Sequence, residues 1–372
     1  MKSDSGGGNG EVLNVGLVYD LRNDYLAEGY GEDDVAEFDS EETIASLEGT
    51  IRSLGYTVDR IGNVRTLCRR LAGGERWDLV FNIAEGLSGR CRESQVPAML
   101  EAYGIPYTFS DALVCALTLD KAFAKRIVRD AGLATPAFEV VERAADVADV
   151  GLRYPLFAKP LAEGTGKGVD AASRINSPAE LARVCESLLA RFEQPVLVEE
   201  FLPGREFTAA ILGNGPRAYV LGVMEIVVID DPHTIYSYKA KEECEHLVRY
   251  LPFRDGALYG QIEALALGAY HALQCRDTSR VDVRCDGQGR PHFMEVNPLP
   301  GLHPTHSDLP MIATQEGMSY SELIGAIMTC ARERTHDKTT AGKTAGTALP
   351  QTTGKACPRR DRGMPVPHRG GG

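Results

Sequence analysis

Three oxygen-bearing side chains late in the chain have the types and spacing of a metal site. Asp282 lies in the segment RVDV, and Glu295 and Asn297 lie in the segment FMEVN. Because these residues alternate with apolar ones, two paired strands would carry all three side chains on one face. Magnesium favours such oxygen ligands and binds through one or two carboxylates together with nucleotide phosphates. The alternative is a solvated hairpin whose outer face is acidic.

Lysines and a glycine loop upstream of this hairpin supply groups that can bind a polyphosphate. Lys159 ends the segment PLFAK and precedes Gly164-Thr165-Gly166, where glycine permits a tight turn and close backbone approach. The loop matches neither the P-loop nor the dinucleotide fingerprint. Lys121 lies before the loop, and Lys241 lies after it in the polar stretch YSYKAK. Together with the hairpin, these residues predict an ATP site.

Lys241 is also interpreted as part of a lid. A lid lysine would neutralise the γ-phosphate as the lid closes and excludes water. The alternative for this residue is a solvent-facing loop lysine.

Composition restricts the class of protein. The chain has 372 residues, of which 43% are hydrophobic, and this fits a soluble protein of two or three domains. No apolar run is long enough to span a bilayer and no signal peptide is evident, so the expected location is the cytoplasm. The nine cysteines are scattered, which disfavours a zinc cluster or a disulfide framework. A net charge of −12 disfavours binding to nucleic acid.

Helix and strand signals alternate along the chain between two tails. Residues 12–19 predict a buried first strand, and Asp39 with Glu42 predicts a capping box for the helix that follows. Further strands at 56–58, 78–83 and 105–109 complete a small doubly wound α/β domain. A second block follows from Asp120, with Ser177 capping a helix that has proline at its first position. Residues 1–10 and those from about 333 onward are too polar to fold.

Two more segments complete the set of motifs. Asp120-Lys121 is followed by GLATP, and EEFLPGREF starts at Glu199. With the hairpin and the lysines, they give the chain a strong resemblance, from Ser110 onward, to the D-alanine–D-alanine ligase family of the ATP-grasp superfamily. The resemblance is weak before Ser110.

The resemblance implies a fold class of α/β, with α+β in the ATP-grasp part. A Rossmann-like substrate domain over 11–117 would precede a two-lobed ATP-grasp domain. The lobes would cover 118–198 and 199–332, with the metal site in the second, and tails would cover 1–10 and 333–372.

The resemblance also implies a role for each matching residue. Lys121, Lys159 and the loop Gly164-Thr165-Gly166 would contact ATP phosphates, with Lys241 at the γ-phosphate. The hinge Glu199-Glu200-Phe201-Leu202 would meet adenine, and Glu206 would accept hydrogen bonds from the ribose. Asp282, Glu295 and Asn297 would hold two magnesium ions, for which manganese is a substitute. Arg280 and the backbone of Gly301 would bind the oxyanion, and Ser307 would bind the carboxylate of the second amino acid.

The substrate region departs from the family pattern. The family's first glutamate is absent, with Asp24 as its nearest replacement, and Glu85 stands where the family has histidine. Arg90 and Arg92 are additional cations, and a glutamate with arginines would alter the charge around the first substrate. The alternative is that Glu85, Arg90 and Arg92 pair with one another.

The resulting hypothesis is an ATP-dependent carboxylate–amine ligase that forms a dipeptide through an acyl phosphate. The alternatives are an amino-acid ligase with other substrates and a nucleotide-binding regulator without turnover. The expected small-molecule partners are ATP and amino acids. The resemblance also implies a homodimer. His303 and His306 lie near the acceptor position, either as hydrogen bonders or as a proton acceptor.

Overall fold

The structure, a computed structural model, describes residues 12–229 and 248–344, with side chains up to Arg334. Contacts divide the chain into two units, Met1–Thr335 and His336–Gly372. The strands of the described residues form three sheets. Their bounds are β1 Asn14–Val18, β2 Thr57–Gly62, β3 Leu79–Asn82, β4 Phe138–Val141, β5 Leu156–Pro160, β6 Arg174–Ile175, β7 Val196–Glu200, β8 Glu206–Leu212, β9 Tyr219–Val228, β10 Val248–Pro252, β11 Thr278–Cys285 and β12 Pro291–Asn297.

The described helices connect and cover these sheets. Their bounds are α1 Arg22–Ala27, α2 Glu41–Ser53, α3 Val64–Ala72, α4 Gln95–Ala102, α5 Ala112–Leu119, α6 Lys121–Asp130, α7 Pro178–Phe192, α8 Gly256–Ala272, α9 Asp308–Gln315 and α10 Tyr320–Thr344. None of these helices combines the length and apolar character needed to cross a bilayer.

The first sheet is parallel, with strand order β2-β1-β3 and a bridge from Val80 to Tyr107 at its edge. Side chains alternate along β1, so that Val15 and Leu17 enter one core and Val18 enters the core on the opposite face. A Cβ on Gly16 would lie 2.5 Å from the end of the Ile61 side chain and 3.0 Å from the Trp77 ring, so a larger residue would displace these side chains. The doubly wound arrangement predicted for this region is confirmed.

The second and third sheets are antiparallel. The second has the order β4-β7-β5-β6, and α7 packs against it through Leu181 and Cys185. Ser177 caps α7 by accepting a hydrogen bond from the amide of Glu180, as predicted. The third has the order β10-β9-β8-β11-β12. Helix α8 covers one face of it, and α9 and α10 join the other face to the first sheet in a shared core.

Two local predictions differ from the structure. Helix α2 is capped by Ser40, whose hydroxyl accepts from the amide of Thr43, and not by Asp39. Ser40 gives the preferred geometry because its backbone is extended directly before the first helical residue. The last helix continues to Thr344, past the expected start of the tail at Glu333. The domain boundaries stay a prediction.

A buried aspartate joins the parallel sheet to the third sheet and to α10. Asp277 is fully buried and accepts hydrogen bonds from the amide of Phe109 at 2.8 Å and from Asn214 Nδ2 at 3.0 Å. Arg334 donates to both carboxylate oxygens of Asp277, at 2.8 and 2.6 Å. Arg334 also donates to the carbonyls of Tyr107 and Phe109. This network joins segments that are far apart in the sequence.

Candidate active site

The predicted hairpin is formed by β11 and β12. Asp282 pairs with Glu295 across the two strands, and Arg280 pairs with Asn297. The Nδ2 atom of Asn297 lies 3.4 Å from Asp282 Oδ2, so the amide and the carboxylate are neighbours. The prediction that paired strands bring these oxygen ligands together is confirmed.

Ammonium and carboxylate groups alternate in a row beside this hairpin, which we call the charge row. Its five members come from α6, β5, β7 and β12, and they are Lys121, Glu295, Lys159, Glu199 and Lys125. The successive N–O distances are 3.8, 3.2, 3.9 and 2.9 Å. The row places three cations and two anions within a single region of the protein.

Burial disfavours the charged lysines of the charge row, and their carboxylate partners favour them. Lys125 is fully buried against Glu199, and burial lowers its pKa. Burial opposes the charged form of Lys159 as well, but the carboxylates of Glu295 and Glu199 raise its pKa to about 12. Lys159 therefore stays charged at neutral pH and can interact with an anionic ligand.

A cleft of about 910 Å³, including open solvent, lies between the second and third sheets. Predicted site residues from both lobes line it. They are Lys121, Lys159, Gly166, Glu199, Glu200, Phe201, Leu202, Glu206, Arg280, Asp282 and Glu295.

The predicted hinge forms one wall of the cleft. The side chains of Phe201 and Leu202 are buried, and the guanidinium group of Arg284 lies 5.4 Å from the centre of the Phe201 ring. Arg284 also donates a hydrogen bond of 2.9 Å to Glu206. Glu200 at the hinge pairs with the exposed Arg153 at 3.0 Å. This wall combines the apolar surface of Phe201 and Leu202 with the Glu206 carboxylate, which Arg284 holds in position.

Arg280 is held by two carboxylates at the other end of the cleft. Asp282 lies 3.2 Å from its guanidinium group, and Asp308 forms a short ion pair with it. Ser307 precedes Asp308, and a Cβ on Gly301 would lie 2.8 Å from Ser307 Oγ. The segment containing Gly301 and Ser307 is therefore brought close to Arg280. Asp308 was missed by sequence reasoning because an aspartate in the first turn of a helix is common and gives no separate signal.

The glycine loop contacts the cleft and also the N-terminal region. Gly166 and Lys167 line the cleft, whereas the amide of Gly164 donates a 2.7 Å hydrogen bond to Glu37. Thr165 and Gly166 both have positive φ, at 49° and 79°. Arg92 pairs with Glu37 at 2.9 Å. Glu37 was also missed, because it lies in an irregular stretch without a motif.

The chain is similar to proteins of one family along most of its length. The family model described as D-ala D-ala ligase C-terminus matches residues 127–329. A D-alanine–D-alanine ligase from Bordetella petrii is 35% identical over 275 residues, which is 73% of this chain and 81% of that protein. The chain belongs to the D-alanine–D-alanine ligase family. The family predicted from the sequence is thus confirmed.

Other relatives and solved structures agree with this assignment. An uncharacterized protein of Sinorhizobium fredii, y4sG, is 36% identical over 69% of this chain and 75% of its own length. The D-alanine–D-alanine ligase of Bacillus anthracis complexed with ATP superposes with a TM-score of 0.66 at 22% identity, covering 88% of this chain and all of that one. The VanG D-Ala:D-Ser ligase of Enterococcus faecalis gives the same TM-score at 22% identity over 86% of this chain. The predicted α/β ATP-grasp fold is confirmed, and ATP-dependent ligation is the activity class of this family member.

Several predicted residues of this ligase lie away from the cleft. Asp24 is exposed and lines a separate groove formed with α3 and α4. Arg90 is exposed and pairs with Asp120 at 2.9 Å. Burial, together with the carboxylates of Glu93 and Glu37, raises the pKa of Glu85 well above its usual range. Lys241 and the predicted lid lie outside the described residues.

The alternative of a local ion pair among Glu85, Arg90 and Arg92 is not observed, because both arginines form ion pairs with other carboxylates. Arg90 pairs with Asp120 and Arg92 pairs with Glu37. His303 is engaged locally, since its Nδ1 lies 3.3 Å from the amides of Thr305 and His306.

The oxygen donors of the hairpin fit magnesium. Asp282, Glu295 and Asn297 are hard ligands on facing strands, next to lysines that would balance phosphate charge. Within 12–229 and 248–334, no group of three His, Cys, Asp or Glu side chains is arranged to hold a metal alone. Magnesium bound through one or two carboxylates would also take water and the phosphate oxygens of a nucleotide as ligands.

Proposed function

We propose that this ligase joins two amino acids into a dipeptide, with D-alanine as the first candidate for both, and that it uses ATP to activate the carboxylate. The observation that carries the proposal is the cleft in which the charge row meets Arg280 and the hairpin. A site that only bound nucleotide would not need an arginine fixed by two carboxylates beyond the phosphate-binding lysines.

The side chains of the cleft divide the work of the reaction. Lys121 and Lys159 bind the phosphates of ATP, with Lys241 at the γ-phosphate, while the carboxylate of the first amino acid attacks the γ-phosphorus and ADP leaves. The loop Gly164-Thr165-Gly166 directs its amides to the same phosphates. Asp282, Glu295 and Asn297 would hold two magnesium ions, and bound magnesium would supply positive charge to offset the negative charge of phosphoryl transfer.

The second step takes place at the other end of the cleft. The amine of the second amino acid attacks the acyl phosphate, and phosphate leaves as the C–N bond forms. Arg280 and the backbone of Gly301 stabilise the oxyanion of the tetrahedral intermediate, for which a fixed donor contributes about 3 kcal/mol. Ser307 binds the carboxylate of the second amino acid.

The hinge and the N-terminal region set the specificity. Phe201 and Leu202 pack against adenine together with the backbone of Glu199-Glu200, and Glu206 accepts from the ribose hydroxyls. Glu85 is the candidate contact for the amine of the acyl donor, whereas Arg90 pairs with Asp120 and has no role in this proposal. Asp24 has no role in this proposal because its groove is separate from the cleft.

The proposal is tested by measuring phosphate release and dipeptide mass with ATP, magnesium and a panel of D- and L-amino acids. We expect product with D-alanine and none when EDTA is present. Lys159→Met should lower kcat/KM for ATP roughly hundredfold, because a buried phosphate-binding cation is lost. Arg143→Met, which removes a cation that is 80% exposed, is the control and should change nothing. No phosphate release with any amino acid would refute the proposal and favour a binding protein.

We further propose that the ligase acts in the cytoplasm as a homodimer, contributing to cell-wall precursor synthesis. The support is family membership. Light scattering of the purified protein tests the oligomeric state, and a monomer at micromolar concentration would contradict it.

A further inference from the structure

The glycine loop of the second sheet is bound from outside its own lobe. Glu37 Oε1 accepts a 2.7 Å hydrogen bond from the amide of Gly164, which is 127 residues later in the chain. Arg92 donates to Glu37 Oε2 at 2.9 Å and to the carbonyl of Ala162 at 2.9 Å. Two side chains of the N-terminal region thus hold both the backbone before the loop and its first glycine. We call this set of contacts, made by Glu37 and Arg92, the loop clamp.

The loop clamp is well enclosed. The side chains of Glu37 and Arg92 are each 10% exposed, so solvent screens their charges only partly. The Arg92 guanidinium and the ammonium of Lys167 hold the pKa of Glu37 below its usual range, although burial acts in the opposite direction. A Cβ on Gly164 would lie 3.2 Å from the Glu37 carboxylate, so the carboxylate is packed directly against the loop backbone.

The backbone conformation of the loop carries a cost, and it is fixed partly within its own lobe. Thr165 and Gly166 are left-handed, a region that costs a residue with a Cβ about 1 kcal/mol or more. Glycines also lose the most conformational entropy when they are ordered. Within the lobe, the carbonyl of Gly164 accepts a 3.0 Å hydrogen bond from the amide of Lys167, and Lys167 pairs with the Glu163 carboxylate at 2.7 Å. Glu37 binds the amide of Gly164 and so adds an anchor from outside the lobe.

We propose that Glu37 and Arg92 are positioning residues that hold the glycine loop in its phosphate-binding conformation. This inference rests on the proposed function, because it takes the ligand of the loop to be the polyphosphate of ATP. The inference goes beyond the proposed function because it makes nucleotide affinity depend on two residues of the N-terminal region that do not line the cleft.

The test compares variants of the loop clamp with a matched control. Glu37→Ala removes both contacts, whereas Glu37→Gln keeps an acceptor for Gly164 and loses the charge facing Arg92. The control is Asp33→Asn, because Asp33 pairs with Arg191 and so joins the same two regions through side chains that are 65% and 58% exposed. Each full-length variant is measured for hydrogen exchange of peptides that cover 162–168 and for KM and kcat.

We expect faster exchange at 162–168 in Glu37→Ala and a KM for ATP raised on the order of tenfold, with kcat changed less than threefold. The exchange rate and the KM for ATP of Glu37→Gln should lie between those of Glu37→Ala and the wild type. Both quantities should be unchanged in Asp33→Asn. The tenfold factor corresponds to about 1.4 kcal/mol, which is just below the range of about 1.5 to 3 kcal/mol for one hydrogen bond to a charged group. If Glu37→Ala does not fold, the double variant Glu37→Gln/Arg92→Met replaces it. This variant removes both charges of the buried ion pair together.

Exchange and KM for ATP both within twofold of the wild type in a folded clamp variant would overturn the inference. Equal effects in Asp33→Asn would also overturn it, since the exposed pair would then be as effective as the buried one. Exchange needs no turnover, so an inactive wild type would refute the proposed function and still leave the loop contact measurable.

Discussion

Replacement of Arg334 by methionine should destabilise the protein strongly, although Arg334 lies in a region that the sequence assigns to a tail. Asp277 is fully buried, and two of the four hydrogen bonds that its carboxylate accepts from described residues come from Arg334. Methionine can fill much of the space of the arginine stem but cannot balance the carboxylate charge. Removal of one partner of a buried ion pair costs about 3 to 5 kcal/mol.

The measurement is the midpoint of thermal unfolding, followed by circular dichroism. Each kcal/mol shifts the midpoint by roughly 2 to 4 °C for a domain of 150 to 250 residues, so we expect a decrease on the order of 10 °C. Arg332→Met is the matched control, because Arg332 contacts the exposed side of Tyr56 and should shift the midpoint by less than about 2 °C.

A second comparison separates the loss of the charge from the loss of packing. Asp277→Asn combined with Arg334→Met removes both charges, and it should be more stable than Arg334→Met alone. Truncations give an independent test. A chain that ends at Thr335 keeps Arg334 and should stay near the wild type, whereas one that ends at Glu333 should behave like Arg334→Met. An Arg334→Met midpoint within 2 °C of the wild type would refute the reasoning.

Three further outcomes are expected. Asp308→Asn should lower kcat about tenfold to a hundredfold with little change in KM for ATP, because Arg280 loses a carboxylate that holds it in place. Phosphate release measures both constants, and an unchanged kcat would contradict this role of Asp308. Lys125→Met should lower the unfolding midpoint by an energy of about 3 to 5 kcal/mol, because buried Glu199 loses its partner at 2.9 Å and keeps Lys159 at 3.9 Å; an unchanged midpoint in thermal unfolding would contradict this. Burial raises the pKa of Glu93 to about 7, so the folded state keeps this proton at pH values where the unfolded state has lost it. The free energy of unfolding should therefore fall as pH rises from about 4.5 to 7. Glu93→Gln should reduce this pH dependence in denaturant titrations, and an unchanged pH dependence would assign it to other groups.

The sequence predicted best those parts of the fold that local patterns determine. Alternation around Asp282 and Glu295 predicted two strands with a shared face, because side-chain period and hairpin pairing are both short-range properties. The Ser177 cap was predicted correctly for the same reason. The prediction for α2 was one residue early because Asp39 and Ser40 are both good capping residues, and the backbone decides between them.

Contacts between segments that are distant in the chain could not be predicted from the sequence. Glu37 and Gly164 are separated by 127 positions, and no periodicity links a turn-rich stretch to a glycine loop. The burial of Arg334 depends on where α10 passes the Phe109 segment, which is a property of packing between segments. Asp24 was predicted at the substrate site from its place after the first strand, but α1 carries it to another groove.

The charge row also determines how the ligase will respond to engineering. Each carboxylate in it is shared by two ammonium groups, so any single replacement redistributes the attraction along the whole set. Single substitutions therefore cannot separate the energetic contributions of Lys159 and Glu295. The energy losses measured for the two single variants should not add up to the energy loss measured for the double variant. Redesign of nucleotide preference in this enzyme must treat the five residues as one unit.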